Sequence, residues 1–151
     1  MLVQDLMNQP PITCHVNDPL NLVAHQMWEH DCGALLVVND EGKLVGMVTD
    51  RDICMAAYTQ SRSLDAILVN SAMATHVISA HPDQGIAEIE QLMARYQIRR
   101  IPVVDDNGKP VGVISLNDLA LECARSDTRM EQVATTLAAI CQPRTPKQQA
   151  A

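Results

Sequence analysis

The sequence is poor in aromatic side chains: its 151 residues include no Phe, two Tyr and one Trp. A chain of this length can bury a real core, because domains of this size remove roughly two-thirds of the unfolded chain's surface from water. With an ordinary apolar fraction of 47 %, that core must be built from aliphatic side chains. Aliphatic packing is typical of α/β proteins, so we expect an α/β fold.

Positive charge and long apolar runs are also scarce. The formal net charge is −7, whereas proteins that bind nucleic acid or anionic membranes cluster Lys and Arg. No run approaches the roughly 20 apolar residues of a membrane span, and the N-terminal residues do not resemble a signal peptide. The sequence therefore predicts a cytoplasmic protein that binds neither nucleic acid nor a membrane.

Metal ligands and catalytic motifs are lacking as well. The five cysteines form no C-x-x-C pair, and the five histidines show no recurring spacing to a carboxylate. Unclustered cysteines are typical of reduced thiols packed as small apolar residues, whereas metal and acid–base sites need clustered groups. The sequence contains no G-x-S-x-G, P-loop or H-E-x-x-H motif. We therefore expect no metal site, no catalytic residue and no enzymatic activity.

What the sequence does contain is an internal repeat. A shift of 66 positions, which brings Gly46 onto Gly112, superposes VVNDEGKLVGMVTDRDI on VVDDNGKPVGVISLNDL without a gap. Self-similarity at one fixed spacing is the signature of a repeated structural unit. The sequence thus predicts a first repeat over 2–58, a linker over 59–67 and a second repeat over 68–125.

Each copy reads as strand, helix, strand, strand, helix. A short extended stretch, PITCHV or HVISAH, leads into helix-start signals at Asn17 and Asp18 or at Asp83. Two apolar runs joined by NDEG or DDNG then predict a hairpin, and a second helix begins at Thr49 or Ser115. A glycine inside the second hairpin strand marks a bulge or the close approach of another backbone or of a ligand. We expect the apolar part of the linker to complete the second sheet.

The motifs that recur in both copies resemble those of one family. The order βαββα, a hairpin with V-V-x-D, and the pattern G-x-[VI]-[TS]-x-x-D, present as GMVTDRDI and GVISLNDL, resemble the cystathionine-β-synthase (CBS) domain. Two such units in tandem resemble the CBS pair called a Bateman module, here as a stand-alone pair covering nearly the whole chain. The resemblance implies an α/β (α+β) fold in which two βαββα repeats pack into a disc with pseudo-twofold symmetry.

The function that the resemblance implies is ligand sensing. Resembling modules have two clefts, each built from both repeats, that hold adenosine-containing ligands such as AMP, ADP, ATP, S-adenosylmethionine or NAD. Many of them regulate an enzyme or a transporter, which implies a regulatory module that acts through a partner protein. No metal is required, although Mg²⁺ can accompany ATP. The alternative is an interaction protein that keeps the fold, binds no ligand and serves dimerisation.

The residues after the second repeat predict a further helix over 126–142, capped by Ser126 and Asp127, and a disordered tail over 143–151. The apolar residues of this predicted helix form one stripe: Met130, Val133, Leu137 and Ile140. A closed two-repeat disc leaves that stripe little to cover, and resembling modules pair through their helices. Because an exposed apolar stripe usually marks an interface, the sequence predicts a homodimer.

The sharpest candidate site is the segment from Thr49 to Asp52. The unpaired amides and positive dipole end of a helix N-terminus attract phosphate, which the Arg51 guanidinium can neutralise. The Thr49 hydroxyl can bond either the ligand or the helix end, and the resemblance implies that Asp52 accepts hydrogen bonds from a ribose 2′,3′-diol. The same tetrad is also close to a capping box, which would simply satisfy the start of the helix.

The second copy keeps the hydroxyl and the carboxylate as Ser115 and Asp118, but Asn117 stands where the first copy has Arg51. A guanidinium–phosphate pair in a partly buried site contributes about 1.5 to 3 kcal/mol. We therefore expect the cleft that uses Asp52 to bind phosphorylated ligands more tightly than the cleft that uses Asp118.

Four further residues are candidates for ligand contacts. Arg99 and Arg100 lie where family members often carry basic residues that reach phosphates, and they could supply charge to either cleft. The competing interpretation is that they are helix C-terminal cations that meet the helix dipole. Thr13 and Ser79, on the first strands, lie where the family contacts adenine or ribose, although plain strand-edge hydroxyls are equally consistent with the sequence.

Overall fold

A computed structural model describes residues 1–126 and 129–144. The helices and strands of this part of the chain follow the predicted order, with one strand missing from the second repeat. They are β1 (Thr13–His15), α1 (Leu20–Glu29), β2 (Ala34–Val38), β3 (Leu44–Thr49), α2 (Asp50–Gln60), α3 (Ile86–Tyr96), β4 (Arg100–Val104), β5 (Pro110–Ser115), α4 (Leu116–Ser126) and α5 (Met130–Cys141).

The first repeat forms a three-stranded sheet in the order β1, β2, β3. β1 runs parallel to β2, with Thr13 opposite Leu36, and β2 pairs antiparallel with β3. In the turn between β2 and β3, Gly42 has a φ of 74°, which lies in the left-handed region that glycine adopts most easily. Buried residues of α1, α2 and the three strands form the core of this repeat.

The second repeat forms the hairpin β4–β5 without a regular first strand. The stretch HVISAH reaches the hairpin at one residue, where Ala80 bridges in parallel to Val103. In the first repeat the Leu36 amide donates to the Ile12 carbonyl. The equivalent of Leu36 is Pro102, which has no N–H to donate. The prediction of a strand at HVISAH is therefore wrong, because the hairpin lacks one of the donors that a parallel neighbour needs.

The Asn and Asp residues predicted to begin α1 and α3 lie too early in the chain to cap them. The residues that precede these helices are Pro19 and Gly85, and neither makes a side-chain cap. The Asp18 carboxylate accepts instead from a backbone amide of β1, at 2.8 Å. The first amide of α1, that of Leu20, donates to the Ile67 carbonyl at 2.9 Å. A distant part of the chain thus satisfies the start of this helix.

The two repeats exchange their opening segments. Val3, from the start of the first repeat, is fully buried in the core of the second repeat. Val69, its equivalent, is fully buried in the core of the first repeat, together with Ile67 of the linker. The linker therefore completes the first core, and the prediction that it completes the second sheet is wrong. Each repeat depends on the other's opening segment to fill its core.

The glycine inside each second hairpin strand allows this exchange. The Met47 amide of β3 donates to the Ala74 carbonyl at 3.0 Å, and the Asn8 amide donates to the Val113 carbonyl of β5 at 2.8 Å. A Cβ atom on Gly46 would lie 2.8 Å from the Ala74 carbonyl oxygen, a separation that packed atoms do not adopt. Of the two interpretations of this glycine, the close approach of another backbone is the one that the structure contains.

The C-terminal helix begins at Met130 and not at residue 126. Ser126, the predicted cap of this helix, is the last residue of α4. Arg129, in a left-handed conformation, precedes α5. The other predicted cap, Asp127, lies outside the described residues, as does the predicted tail from residue 145 onward.

The apolar stripe of α5 is divided between the chain's own core and solvent. α5 packs on α3 and α4, where Ile140 is buried in the second core and Val133 packs against it. Met130 and Leu137 remain 62 % and 45 % exposed. The prediction that the stripe has little left to cover is therefore wrong for Val133 and Ile140, because α5 closes the helical face of the second repeat.

We expect Gly46→Ala to destabilise the protein by about 1 to 3 kcal/mol, because the added methyl group presses on a backbone carbonyl of the exchanged segment. Gly85→Ala is the matched control, since a Cβ atom there meets nothing within 4 Å and the φ of Gly85 is −76°. Urea titration gives the free energy of unfolding of both variants. Equal stabilities would contradict the importance of this close approach.

Candidate ligand clefts

The Thr49–Asp52 tetrad forms a closed capping box at the start of α2. Asp52 Oδ2 accepts hydrogen bonds from the amide and the hydroxyl of Thr49, both at 2.8 Å, and the Asp52 amide donates to Thr49 Oγ1 at 3.2 Å. Within the described residues, no group donates to the other carboxylate oxygen, Oδ1. The cap therefore occupies one oxygen of Asp52 and leaves the second able to accept.

Ser115 and Asp118 form the same arrangement at the start of α4. Asp118 Oδ2 accepts from the Ser115 amide at 2.7 Å and from its hydroxyl at 2.6 Å. Here the second oxygen also has a partner, because Asp118 Oδ1 accepts from Asn8 Nδ2 at 2.8 Å. Asn8 belongs to the exchanged segment, and its equivalent in the other half is Ala74, which has no side-chain donor. Sequence reasoning missed Asn8, and this mismatch at the repeat spacing is the signal that could have found it.

A cavity of about 480 Å³, which we call the Asp118 cleft, lies between the two repeats. The second repeat lines it with Ser115 and Asp118, and the first repeat lines it with Pro11, Ile12 and Gly33. Asp118 and Ser115 therefore face residues of the opposite repeat, as expected for a cleft built from both copies.

A second cavity, of about 350 Å³, is the pseudo-twofold counterpart of the first. His76–Ile78 take the place of residues 10–12, and Met47 takes the place of Val113. Of the charged residues that the structure describes, no carboxylate lines this cavity, whereas three arginines do: Arg95, Arg100 and Arg144. We call it the arginine cleft.

The residues of the first tetrad do not line the arginine cleft. Met47 in the cleft wall belongs to β3, which leads directly to Thr49 and Asp52. Asp52 follows β3 closely in the sequence and is half-buried, whereas Arg51 is exposed. The two copies thus differ, because Ser115 and Asp118 themselves form part of a cavity wall.

Of the two adjacent arginines, Arg100 enters the clefts and Arg99 does not. Arg100 lines both cavities. Its Nη2 lies 3.5 Å from the point where a Cβ atom on Gly33 would be, so the guanidinium reaches across to the first repeat. Arg99 is exposed and lines neither cavity. Sequence reasoning could not separate the two, because the packing of the two repeats decides which residues line the clefts.

Thr13 and Ser79 line neither cavity. Thr13 lies in β1 and Ser79 is exposed. The residues before them, Ile12 and Ile78, line the Asp118 cleft and the arginine cleft respectively. The chain thus lines each cleft at the residue that precedes Thr13 or Ser79.

Other features of the chain bear on the classes of function considered from the sequence. Within residues 1–126 and 129–144, no helix is long and apolar enough to cross a bilayer, and no group of three or more His, Cys, Asp and Glu is placed to hold a metal ion. The five cysteines are free. Burial, with a smaller contribution from Asp18, raises the pKa of the Cys14 thiol to about 12, so this thiol stays protonated at neutral pH.

The fold and its paired cavities define a class of protein: two intertwined repeats with a cleft on either side of their interface. The family model of the CBS domain matches residues 3–58 and 69–125. The chain belongs to the CBS domain family.

Relatives and solved structures agree with this assignment. The CBS domain-containing protein YhcV of Bacillus subtilis is 39 % identical over 119 residues, which are 79 % of this chain and 83 % of YhcV. L-aspartate semialdehyde sulfurtransferase of Methanocaldococcus jannaschii is 34 % identical over 119 residues, which are 79 % of this chain but 22 % of that enzyme. The crystal structure of the CBS domain pair of protein MJ0100 in complex with 5′-methylthioadenosine and S-adenosyl-L-methionine matches with a TM-score of 0.75 and 31 % identity, covering 83 % of this chain and 97 % of that one.

We expect Thr49→Ala and Ser115→Ala each to lower the free energy of unfolding by about 1 kcal/mol, because each removes the hydroxyl that accepts from an unpaired amide of a helix start. Thr49→Ser keeps the oxygen and is the control. Denaturant titration of the three variants measures the difference. If Thr49→Ala is as stable as Thr49→Ser, the box contributes nothing to the folded state.

Proposed function

We propose that this protein is a regulatory module that senses adenosine-containing ligands in two unequal clefts and acts through a partner protein. The observation that carries the proposal is the charge of the arginine cleft. Three arginines line it, and among the described residues no carboxylate does, in a chain whose net charge is −7. Cations gathered around a cavity attract an anion, and the planar guanidinium matches phosphate oxygens.

The size of the clefts and a relative's ligands support the adenosine class. Cavities of about 480 and 350 Å³ fall within the range of roughly 300 to 1,000 Å³ that is usual for small-molecule sites. The CBS domain pair of MJ0100 was crystallised with 5′-methylthioadenosine and S-adenosyl-L-methionine, both of which contain adenosine. The proposed ligands are therefore AMP, ADP, ATP, S-adenosylmethionine or NAD.

Asp52, which does not itself line the arginine cleft, is the proposed ribose acceptor for a ligand bound there. β3 leads from the cleft wall at Met47 to the helix that Asp52 caps. Because Asp52 Oδ2 holds the cap while Oδ1 can still accept, capping and ligand binding are compatible at this residue. Arg51 lies exposed at the same helix start and adds positive charge near the phosphates.

The Asp118 cleft suits a less anionic ligand. Two carboxylates, those of Asp31 and Asp118, line this cleft together with the guanidinium of Arg100. Carboxylates repel phosphate. Asp118 Oδ1 already accepts from Asn8, so a ribose must share or displace that hydrogen bond. Methylthioadenosine and adenosine, which carry no phosphate, fit these partners better than ATP does.

We propose that the ligand is bound and not consumed. Within the described residues, the clefts offer arginines and helix starts but no nucleophile held by a base. The match to the sulfurtransferase covers only 22 % of that enzyme. A cytoplasmic location fits both the free cysteines and the proposed nucleotide ligands.

Calorimetry with adenosine, AMP and ATP tests the proposal. We expect Arg100→Ala to weaken ATP binding by about one to two decades, because it removes a guanidinium–phosphate pair. Arg99→Ala, at the adjacent exposed position, is the matched control and should bind as the wild type does. Asp52→Ala should weaken the tighter of two ATP sites, whereas Thr49→Ala, which loses the cap alone, should spare it.

Three results would contradict the proposal. Absence of binding for every adenosine ligand favours the alternative, a CBS protein that serves dimerisation alone. Equal losses from Asp52→Ala and Asp118→Ala would remove the asymmetry between the clefts. Conversion of ATP or S-adenosylmethionine that is abolished by Asp52→Ala would show turnover.

We also propose a homodimer, formed through the helices of the first repeat. A groove of about 420 Å³ between α1 and α2 is lined by apolar residues that include Ala24, Trp28 and Ile53, and by Asp31 and Asp50; Trp28 is 84 % exposed. In the second repeat, α5 covers the equivalent surface: Glu90, the equivalent of Ala24, pairs with Arg129 just before α5. Leu119, the equivalent of Ile53, shares a core with α5. The first repeat presents the same helical face uncovered, which favours a second copy as its partner.

We expect Trp28→Glu to shift the protein from dimer to monomer, because it replaces a largely exposed apolar side chain of the groove with a charge. Met130→Glu, on the exposed side of α5, is the control and also tests the interface predicted from the sequence. Light scattering at micromolar concentration gives the oligomeric state of the wild type and of both variants. A monomeric wild type contradicts the homodimer, and a monomer caused by Met130→Glu alone assigns the interface to α5.

A further inference from the structure

We propose that Arg144 is a phosphate-recognising residue of the arginine cleft, delivered there by the docking of α5. A ligand in this cleft and the docked C-terminal helix then stabilise each other. This inference rests on the proposed function, because it requires an anionic ligand in that cleft.

Gln97 connects α5 to the cleft. It ends α3 in a left-handed conformation, with a φ of 51°, and it lines the arginine cleft. Its side-chain amide donates to the Ala139 carbonyl at 3.2 Å and to the Gln142 carbonyl at 2.8 Å, at the last turn of α5 and just after it. Its own carbonyl accepts from Arg144 Nη2 at 2.9 Å. One residue of the cleft wall therefore holds both the end of α5 and the arginine that follows it.

Contacts to the second repeat also hold the rest of α5. Before its first turn, Arg129 pairs with Glu90 of α3, which is 6 % exposed. In its last turn, Ile140 is buried in the core of the second repeat. The position of Arg144 thus follows from the packing of a whole helix, which makes it a defined part of the cleft wall.

The chemistry of Arg144 suits a phosphate. Its guanidinium lines the cavity together with Arg95 and Arg100. A guanidinium has five N–H donors in a planar fork that matches phosphate oxygens, and the hydrogen bond to the Gln97 carbonyl uses one of these donors.

The Asp118 cleft has no comparable contribution. The equivalent of Gln97 is Asp31, which brings a carboxylate to the wall of that cleft. The first repeat is followed by the linker, which fills the first core through Ile67. The difference in charge between the two clefts therefore comes partly from a segment that lies outside both repeats.

A consequence of this arrangement is coupling between ligand and helix. If the ligand binds more tightly when Arg144 is in place, α5 must dock more tightly when the ligand is bound, because linkage between two equilibria is reciprocal. The C-terminal helix is then the element whose order reports the occupancy of the arginine cleft.

The test combines calorimetry and hydrogen exchange on the full chain. The variants are Arg144→Ala and Arg144→Gln; the glutamine keeps an N–H donor for the Gln97 carbonyl but removes the charge. Arg62→Ala, at an exposed position that lines neither cleft, is the control for loss of an arginine. We expect both Arg144 variants to bind ATP about tenfold more weakly and to bind adenosine as the wild type does. We expect ATP to slow amide exchange in α5 of the wild type and to slow it less in the variants.

The failure of this inference and the failure of the proposed function give different results. If the wild type binds ATP and Arg144→Gln binds it equally well, Arg144 is only a tether of α5, and the proposed function stands. If the wild type binds neither ATP nor adenosine, both are wrong. Should Arg144→Ala release α5 without ligand, the comparison rests on Arg144→Gln. If ATP does not change the rate of amide exchange in α5 of the wild type, the coupling is contradicted.

Discussion

The burial of one exchanged valine in each core is the contact on which the rest of the structure depends. Val3 completes the second core and Val69 the first, and both are fully buried. Full burial of such a side chain contributes roughly 1.5 to 3 kcal/mol, so neither repeat has a complete core without the other. The same exchange carries Asn8 and Pro11 into the wall of the Asp118 cleft, next to residues of the opposite repeat. The clefts are therefore a consequence of the way the repeats are intertwined.

The two interpretations of the helix starts, as caps and as ligand sites, turn out to be compatible. A carboxylate has two oxygens, and the capping box engages Oδ2 alone in both Asp52 and Asp118. The two residues differ at the other carboxylate oxygen, Oδ1, because Asn8 donates to Oδ1 of Asp118 but no described group donates to Oδ1 of Asp52. A repeat that keeps the fold can thus change its binding properties through a neighbour that is not part of the recurring motif.

Single differences between the copies contribute to the asymmetry of the molecule. Pro102 in place of Leu36 removes a donor, and the second repeat loses its first strand. Gln97 in place of Asp31 removes a negative charge from one cleft and provides the amide that holds α5. Duplication supplies two equal halves, and local changes in donors and charge then make them chemically distinct.

Several features were predictable from the sequence because they depend on bonds between neighbours in the chain. The repeat is visible in the sequence itself, and the hairpin turns and the helix starts at Thr49 and Ser115 rest on contacts within about four residues. The glycine at position 46 already indicated a close approach, although it could not say of what. From these features followed the fold class and the candidate tetrads.

Other features were decided by the tertiary structure alone. The amide of Leu20 is satisfied by Ile67, and the arginine cleft receives Arg144 through the docking of α5. The inward position of Arg100, and not Arg99, depends on how β4 sits between the two repeats. Each of these contacts joins residues far apart in the chain, and no local pattern encodes such a pair, because the packing of the two cores determines which distant groups meet.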